Sequence, residues 1–268
     1  MPVPGKISII TPTLNQAGFI ERTIRSVQDQ QVDVPVEHIV VDGGSTDGTL
    51  ELLAGYAAGV RLIRDPGCGM QDSLNKGFAM AAGEVVGWLN SDDTYLPGAL
   101  QAALDHFRQH PECRWVYGNC RIIDEHDREI RKWITAYKNR LSRRYSYERL
   151  LMENFISQPA VFMLRKELLS AGPVDRTLPT AMDYDLWLRL AQRSKPGYLD
   201  RDLACFRVHM QSISARSYRA QFEEQYRIHQ RYDRHPLRLF RHRVKIRMIV
   251  FVYGILRAVR KFSRQGRK

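Results

Sequence analysis

The stretch that most constrains this chain is Gly87-Trp88-Leu89-Asn90-Ser91-Asp92-Asp93, where an apolar run from Val85 to Leu89 stops at two adjacent carboxylates. A short continuous apolar run reads as a buried strand of a parallel sheet, and open sheets of that kind take ligands outside the carboxyl ends of their strands. Paired carboxylates at such an end suit a divalent cation, which prefers hard oxygen ligands and often shares them with substrate phosphates. The same residues also fit a strand-end turn whose acids cap a helix beginning near Pro97. The residues before this stretch decide between the two.

Ile7-Ser8-Ile9-Ile10 reads as a first strand within Lys6–Pro12, ending in the loop Thr11-Pro12-Thr13-Leu14-Asn15. Proline breaks the strand, and small polar residues make the loop. Ile20, Ile24 and Val27 recur at helical spacing behind it. His38-Ile39-Val40-Val41 is the second strand, closed by Asp42-Gly43-Gly44-Ser45-Thr46-Asp47-Gly48-Thr49 and followed by a helix carrying Leu50, Leu52 and Leu53. Strand, loop and helix, twice over, predict a parallel sheet wound right-handed. Asp42 can accept a hydrogen bond from a base or ribose, and the glycines admit close ligand approach; an Asp-Gly pair also serves as a plain turn. The glycine pattern of dinucleotide-binding folds is absent after the first strand, which counts against a nicotinamide enzyme.

Arg61-Leu62-Ile63 is a third short strand. The helix after it carries Asp72, Asn75 and Lys76 in its first turns, with Asp72 and Asn75 sharing a face. Lys76 can reach a phosphate or stay solvated. This helix ends at Ala82-Gly83, and the strand with the two acids follows.

The ordered set Thr-Pro-Thr-Leu-Asn, Val-Val-Asp-Gly-Gly-Ser-Thr-Asp-Gly-Thr, Asn-Lys-Gly and Leu-Asn-Ser-Asp-Asp resembles family 2 glycosyltransferases of the GT-A fold, over about residues 6 to 215. The resemblance implies an α/β fold with a mostly parallel sheet flanked by helices, and an inverting enzyme that uses a nucleotide-sugar donor. It implies donor contacts from Pro12, Thr13, Asn15, Asp42, Gly44, Ser45, Asp72, Asn75, Lys76, Asn90, Ser91 and Asp92, with Asp42 on the base. It places a divalent metal, Mn2+ or Mg2+, on Asp92, Asp93 and His209. Leu14 stands where many members carry a tyrosine that stacks on the base, which leaves the choice of base open.

Further on, Pro97 to Gln109 reads as a helix, and Trp115–Asp124 as a strand continuing into a hairpin with Glu129–Lys132. Tyr137 to Arg149 is basic and aromatic and reads as a loop near the site or a solvated surface. Ile156 to Met163 reads as a strand whose Gln158 resembles an acceptor-side element. Leu186, Trp187 and Leu190 mark a helix with Asp183 and Asp185 at its start. The family carries a Glu-Asp pair here whose Asp is the general base; Met182 replaces the Glu, so Asp183 is the matching base, with Asp185 the alternative, and Asp185 and Trp187 are placed on the acceptor side. A carboxylate there can also simply cap the helix. Leu203 to His209 is a strand ending in the histidine assigned to the metal, and Ser212-Ile213-Ser214 reads as the end of the catalytic fold.

Residues 1–215 thus form the expected catalytic domain and residues 216–268 a basic helical tail. Net charge is +12, and from Arg238 to Lys268 there are eleven Lys/Arg and no Asp/Glu. An apolar patch between Val244 and Leu256 lies within that basic run. No apolar stretch reaches the ~18–20 residues that span a bilayer. The tail therefore reads as a helix lying on anionic lipid, with docking on its own domain or on a second subunit as alternatives. It lacks a recognisable RNA-binding motif, so no nucleic-acid partner is expected. Four cysteines without C-x-x-C spacing fit a reducing compartment. The N-terminus carries no signal pattern, so the expected location is cytoplasmic, peripheral on the inner face of the cell membrane, with a glycan or lipid-linked acceptor. A nucleotidyltransferase, the second enzyme reading, needs a basic residue in the Thr11–Asn15 loop, and none is there. A non-catalytic nucleotide- or RNA-binding module is the third reading.

Overall fold

The computed structural model describes residues 4–212 and 218–265, and the side chains of residues 4–212 and 219–250. Ile213 and Ser214 and the side chains from Phe251 onward, which the sequence reading drew on, lie outside these. The chain begins with β1 (Ile7–Thr13), α1 (Ile20–Gln28), β2 (Val36–Asp42), α2 (Thr49–Ala54), β3 (Arg61–Arg64), α3 (Met70–Met80) and β4 (Val85–Trp88). β1 pairs in parallel with β2 and β4, and β2 with β3, so the loops after β1, β2 and β4 gather at one end of the sheet. Every residue of β1 and β4 is buried, as central strands covered on both faces must be. Gly87 permits the tight packing of β4: a Cβ there would stand 2.6 Å from the Tyr95 hydroxyl and 2.8 Å from Ile9.

Then come β5 (Thr94–Tyr95), α4 (Ala99–Gln109), β6 (Trp115–Ile123), α5 (Lys132–Ser142), α6 (Tyr147–Met152), β7 (Val161–Leu164), α7 (Arg165–Ala171), α8 (Met182–Arg193) and β8 (Gly197–Arg207). The eight strands run in the order β3-β2-β1-β4-β7-β6-β8-β5. β7 is antiparallel to both of its neighbours and β5 antiparallel to β8, while β8 runs parallel to β6. This mostly parallel sheet with helices packed on it is the GT-A arrangement expected from the resemblance.

Three local expectations change. The Tyr137–Arg149 segment forms parts of α5 and α6 instead of a loop, because Thr135, Ser142, Leu150 and Leu151 turn inward at helical spacing; Ser146 caps α6 by accepting the Arg149 N–H at 3.1 Å. The hairpin through Glu129–Lys132 is reduced to one bridge between Ile123 and Glu129. The strand expected from Ile156 starts at Val161, after a single 3-10 turn at Gln158–Ala160 that Pro159 favours.

After β8 come α9 (Tyr218–Tyr232) and α10 (Pro236–Gln265). α9 is tied to the body. Ile228 joins the core cluster that contains Trp187 and Leu190, the buried Glu224 accepts the Thr180 N–H at 2.7 Å, and Arg231 pairs with Asp175 at 2.8 Å.

Candidate active site

At the carboxyl ends of β1 and β4 lies a cavity of about 400 Å³. Its walls include Pro12 and Thr13 at the end of β1, the first turn of α3, the Asn90–Asp92 turn after β4, and Asp183 at the start of α8. His209, two residues beyond β8, closes it.

The Asn90–Asp93 turn is held from three sides. Thr23 of α1 puts its hydroxyl within hydrogen-bond reach of the Ser91 and Asp93 carbonyls, at 2.9 and 2.8 Å. Asn90 Oδ1 accepts the Trp88 indole N–H at 2.8 Å, and its amide donates to Gln158 Oε1 at 3.0 Å; Gln158 in turn donates to the Trp88 carbonyl. From the far side comes Arg207, whose side chain is fully buried. Its Nε donates to the Asp92 carbonyl at 2.7 Å and its Nη1 to the Asp124 carbonyl at 2.9 Å, and the guanidinium lies over the Phe19 ring.

This clamp gives the two acids different environments. Asp92 keeps its carboxylate at the cavity, with Oδ2 3.0 Å from His209 Nε2. Asp93, expected beside it at the metal, is fully buried, and its Oδ1 accepts the Arg207 backbone N–H at 2.8 Å. Burial, together with the neighbouring Asp92 charge, raises its pKa well above the ordinary carboxylate range. It does not line the cavity; it fastens the turn to β8.

Asp183 also lines the cavity, at the first turn of α8. Its Oδ2 accepts a hydrogen bond from Asn154 at 3.2 Å. Burial raises its pKa, against the opposing pull of the Tyr184 backbone N–H, Asn154 and the Lys138 ammonium.

Pro12, Thr13, Asn90, Ser91, Asp92, Gln158, Asp183 and His209 thus meet around one space. The other sequence candidates do not line it. Asp42 is buried and occupied by its own loop, accepting the Gly44 and Ser45 N–H groups at 2.9 Å each and the Ser45 hydroxyl at 2.5 Å. Gly44 takes φ +104°, a conformation that side chains resist, to close that loop. Asn15 accepts the Thr46 N–H at 2.8 Å and so links the first and second loops. On α3, Asp72 pairs with Arg176 at 2.5 Å and Lys76 with Asp65 at 2.8 Å. Asn75 exchanges two hydrogen bonds with the Val174 backbone, at 3.0 and 2.7 Å. These three sit on the faces of α3 turned from the cavity, while Met70 and Ser73 face it. Asp185 bonds Arg189 at 2.9 Å and the Tyr232 hydroxyl at 2.8 Å, and Trp187 is buried, stacked on Trp115 at 6.0 Å between ring centroids. Sequence reasoning missed Asn154, Lys138 and the clamp role of Arg207. Only the last left a signal, a basic residue after the apolar run Leu203–Phe206 and two positions before the histidine.

The family model described as Glycosyl transferase family 2 matches residues 8–172. The chain belongs to that family. Among curated relatives it is 27% identical over 220 residues to the putative teichuronic acid biosynthesis glycosyltransferase TuaG of Bacillus subtilis, covering 80% of this chain and 83% of the relative. It is 30% identical over 189 residues to the chondroitin synthase of Escherichia coli, covering 69% of this chain but 26% of that much longer protein. Among solved structures, the mannosyltransferase PcManGT from Pyrobaculum calidifontis in complex with GDP-Man and Mn2+ superposes with a TM-score of 0.68 at 17% identity, covering 91% of this chain and 70% of that one. S. aureus TarS 1-349 in complex with UDP-GlcNAc superposes with a TM-score of 0.63 at 18% identity, covering 83% and 65%. At these identities the likeness is one of fold.

The residues present fit a divalent cation in one way. Among the described residues no three His, Cys, Asp or Glu side chains converge as a ready-made cage. A carboxylate and an imidazole in contact at the cavity wall make a half-site, which is what a cation sharing oxygens with a substrate diphosphate needs.

Proposed function

We propose that this glycosyltransferase moves a sugar from a nucleoside diphosphate sugar to an acceptor hydroxyl with inversion at the anomeric carbon. The observation that carries the reading is that Asp92 with His209, and Asp183, line one cavity from separate elements. Asp92 and His209 would hold Mn2+ or Mg2+ together with the donor diphosphate. The bound cation supplies positive charge against that developing on the leaving nucleoside diphosphate. Pro12 and Thr13, with Met70 and Ser73 across from them, would flank the nucleoside. Asp183 would accept the acceptor's hydroxyl proton as that oxygen attacks the face opposite the leaving group. A single displacement inverts the configuration. Loss of such a base costs ~10²–10⁴ in rate.

The acceptor is a growing glycan or a lipid-linked polysaccharide precursor, a reading supported by the names of the chondroitin- and teichuronic-acid relatives. α10 supports a membrane setting. Leu237, Phe240, Val244 and Met248 are exposed at three- and four-residue spacing, whereas His242 and Ile246 are buried on the other side. No acid occurs from Arg238 on, and an anionic headgroup layer complements that charge better than a second copy of the same basic helix. No helix among the described residues is long and apolar enough to cross a membrane, so α10 would lie along the inner face of the cell membrane.

The test is a thermal-shift panel of UDP-GlcNAc and GDP-mannose with and without Mn2+. Ligand at 100 times its Kd stabilises by ~2.7 kcal/mol. A shift that requires both donor and metal, and is lost in Asp92→Asn, supports the reading. Metal-independent shifts of equal size in both proteins overturn the cation site.

A further inference from the structure

Two polar groups outside the cavity lining bear on Asp183. Asn154 lies two residues beyond α6. Its Nδ2 donates to Asp183 Oδ2 at 3.2 Å, while its Oδ1 is buried and has no hydrogen-bond partner among the described residues. Nothing else therefore dictates which way this amide points. An ionised Asp183 can only accept, which selects the NH2 edge; a protonated Asp183 could equally donate to Oδ1.

The second group is Lys138 of α5. Its ammonium donates to Ser157 Oγ at 3.3 Å. Burial pulls its pKa down, opposed by the Cys120 thiol of β6 and by the charges of Asp183 and Glu153. Glu153 is already claimed, by Lys245 of α10 and by the Tyr137 hydroxyl at 2.8 Å. Asp183 has no ion pair of its own among the described residues, and Lys138 is the cation whose charge favours its ionised form. Desolvation favours the protonated form of Asp183, which cannot act as a base.

We propose that Asn154 is a positioning residue for the transfer reaction, aiming the Asp183 carboxylate through the Nδ2–Oδ2 hydrogen bond. It does not line the cavity. The proposal rests on Asp183 being the base, and its test separates the two. Donor hydrolysis, with water in the acceptor's place, is followed across pH for full-length protein with Mn2+ and with UDP-GlcNAc or GDP-mannose, reading release of the nucleoside diphosphate. The base must be ionised, so the rate falls as pH drops through the folded-state pKa of Asp183.

Asn154→Ala should lower kcat on the order of 10-fold at unchanged donor KM, since a lost orienting contact acts on the reacting geometry. A purely structural role would change melting temperature and leave the kcat of the folded protein at its wild-type value. If Asp183→Asn abolishes hydrolysis but the kcat of Asn154→Ala matches wild type, the positioning proposal is wrong and the base reading stands. If Asp183→Asn hydrolyses donor normally, the base reading itself fails.

Discussion

Removing the guanidinium of Arg207 while keeping the packing of its stem, as Arg207→Met does, should destabilise the protein by at least about 3 kcal/mol, the lower sum of its two charge-assisted hydrogen bonds. The figure follows from the contacts. Two charge-assisted hydrogen bonds, to the Asp92 and Asp124 carbonyls, are worth roughly 1.5–3 kcal/mol each. The ring of Phe19 under the guanidinium adds ~0.5–2 kcal/mol, which methionine partly replaces. Asp127 lies 2.6 Å from Nη2, yet that nitrogen makes no aligned hydrogen bond and Asp127 is half exposed, so this pair is discounted to nearly nothing. Guanidinium chloride unfolding followed by tryptophan fluorescence measures the loss, which should appear as a drop in midpoint at constant slope. Because Arg207 holds the Asp92 backbone, Mn2+-dependent donor binding should weaken in the folded variant too. Arg207→Lys keeps the charge but not the planar fork and should recover only part of the loss. A loss below about 1 kcal/mol, the level of a surface ion pair, would refute the clamp.

The two adjacent acids should separate cleanly. Asp92→Asn should keep the melting temperature and lose metal-stimulated donor binding in calorimetry, whereas Asp93→Ala should lower the melting temperature, because it strips the buried acceptor from the Arg207 N–H at a cost of ~1–3 kcal/mol; equal melting temperatures would contradict this split. For α10, flotation with anionic vesicles should show binding that high salt weakens without abolishing, and Phe240→Glu should remove the salt-resistant part. A tail-dependent dimer that ignores vesicles would instead assign the exposed stripe to a subunit interface.

The parts of this fold that depend on runs of residues could be read directly. β1, β2 and β4 each carry a short apolar core, Ile9-Ile10, Ile39-Val40-Val41 and Val85-Val86, before a polar stop, and the stop after β4 carries the cavity's acid. The directions in which side chains point from a helix could not. Asp72 and Asn75 share a side of α3, as their spacing requires, but periodicity does not say toward what; Met70 and Ser73 hold the cavity wall instead. Asp42 looks in sequence like a free carboxylate at a strand end, yet the N–H groups of Gly44 and Ser45 occupy it. Nor could pairing over long separations be foreseen. Asn154 and Asp183 are 29 residues apart, and β8 pairs with β6 across about 80 residues, as Val116 with Gly197. Tyr137–Arg149 was obscured by its charge, since the few inward residues of α5 and α6 are diluted among exposed basic ones.

The contact between Asp92 and His209 spans 117 positions of chain, and this has a consequence for synthesis. At ~5–20 residues per second, translation needs about 6–23 s after Asp92 is made to reach His209. Through that interval the β1–β4 half can assemble from near neighbours, but its acid turn has neither the imidazole nor the arginine clamp. Closing so long a loop adds little to the equilibrium cost, since that cost grows only logarithmically with length, and it weighs more on rate. A product halted at residue 172, where the family match ends, would lack Asp183, Arg207 and His209 together. Half-made chains should therefore neither capture metal nor consume nucleotide sugar on the ribosome, and competence should arrive in one late step, when β8 docks.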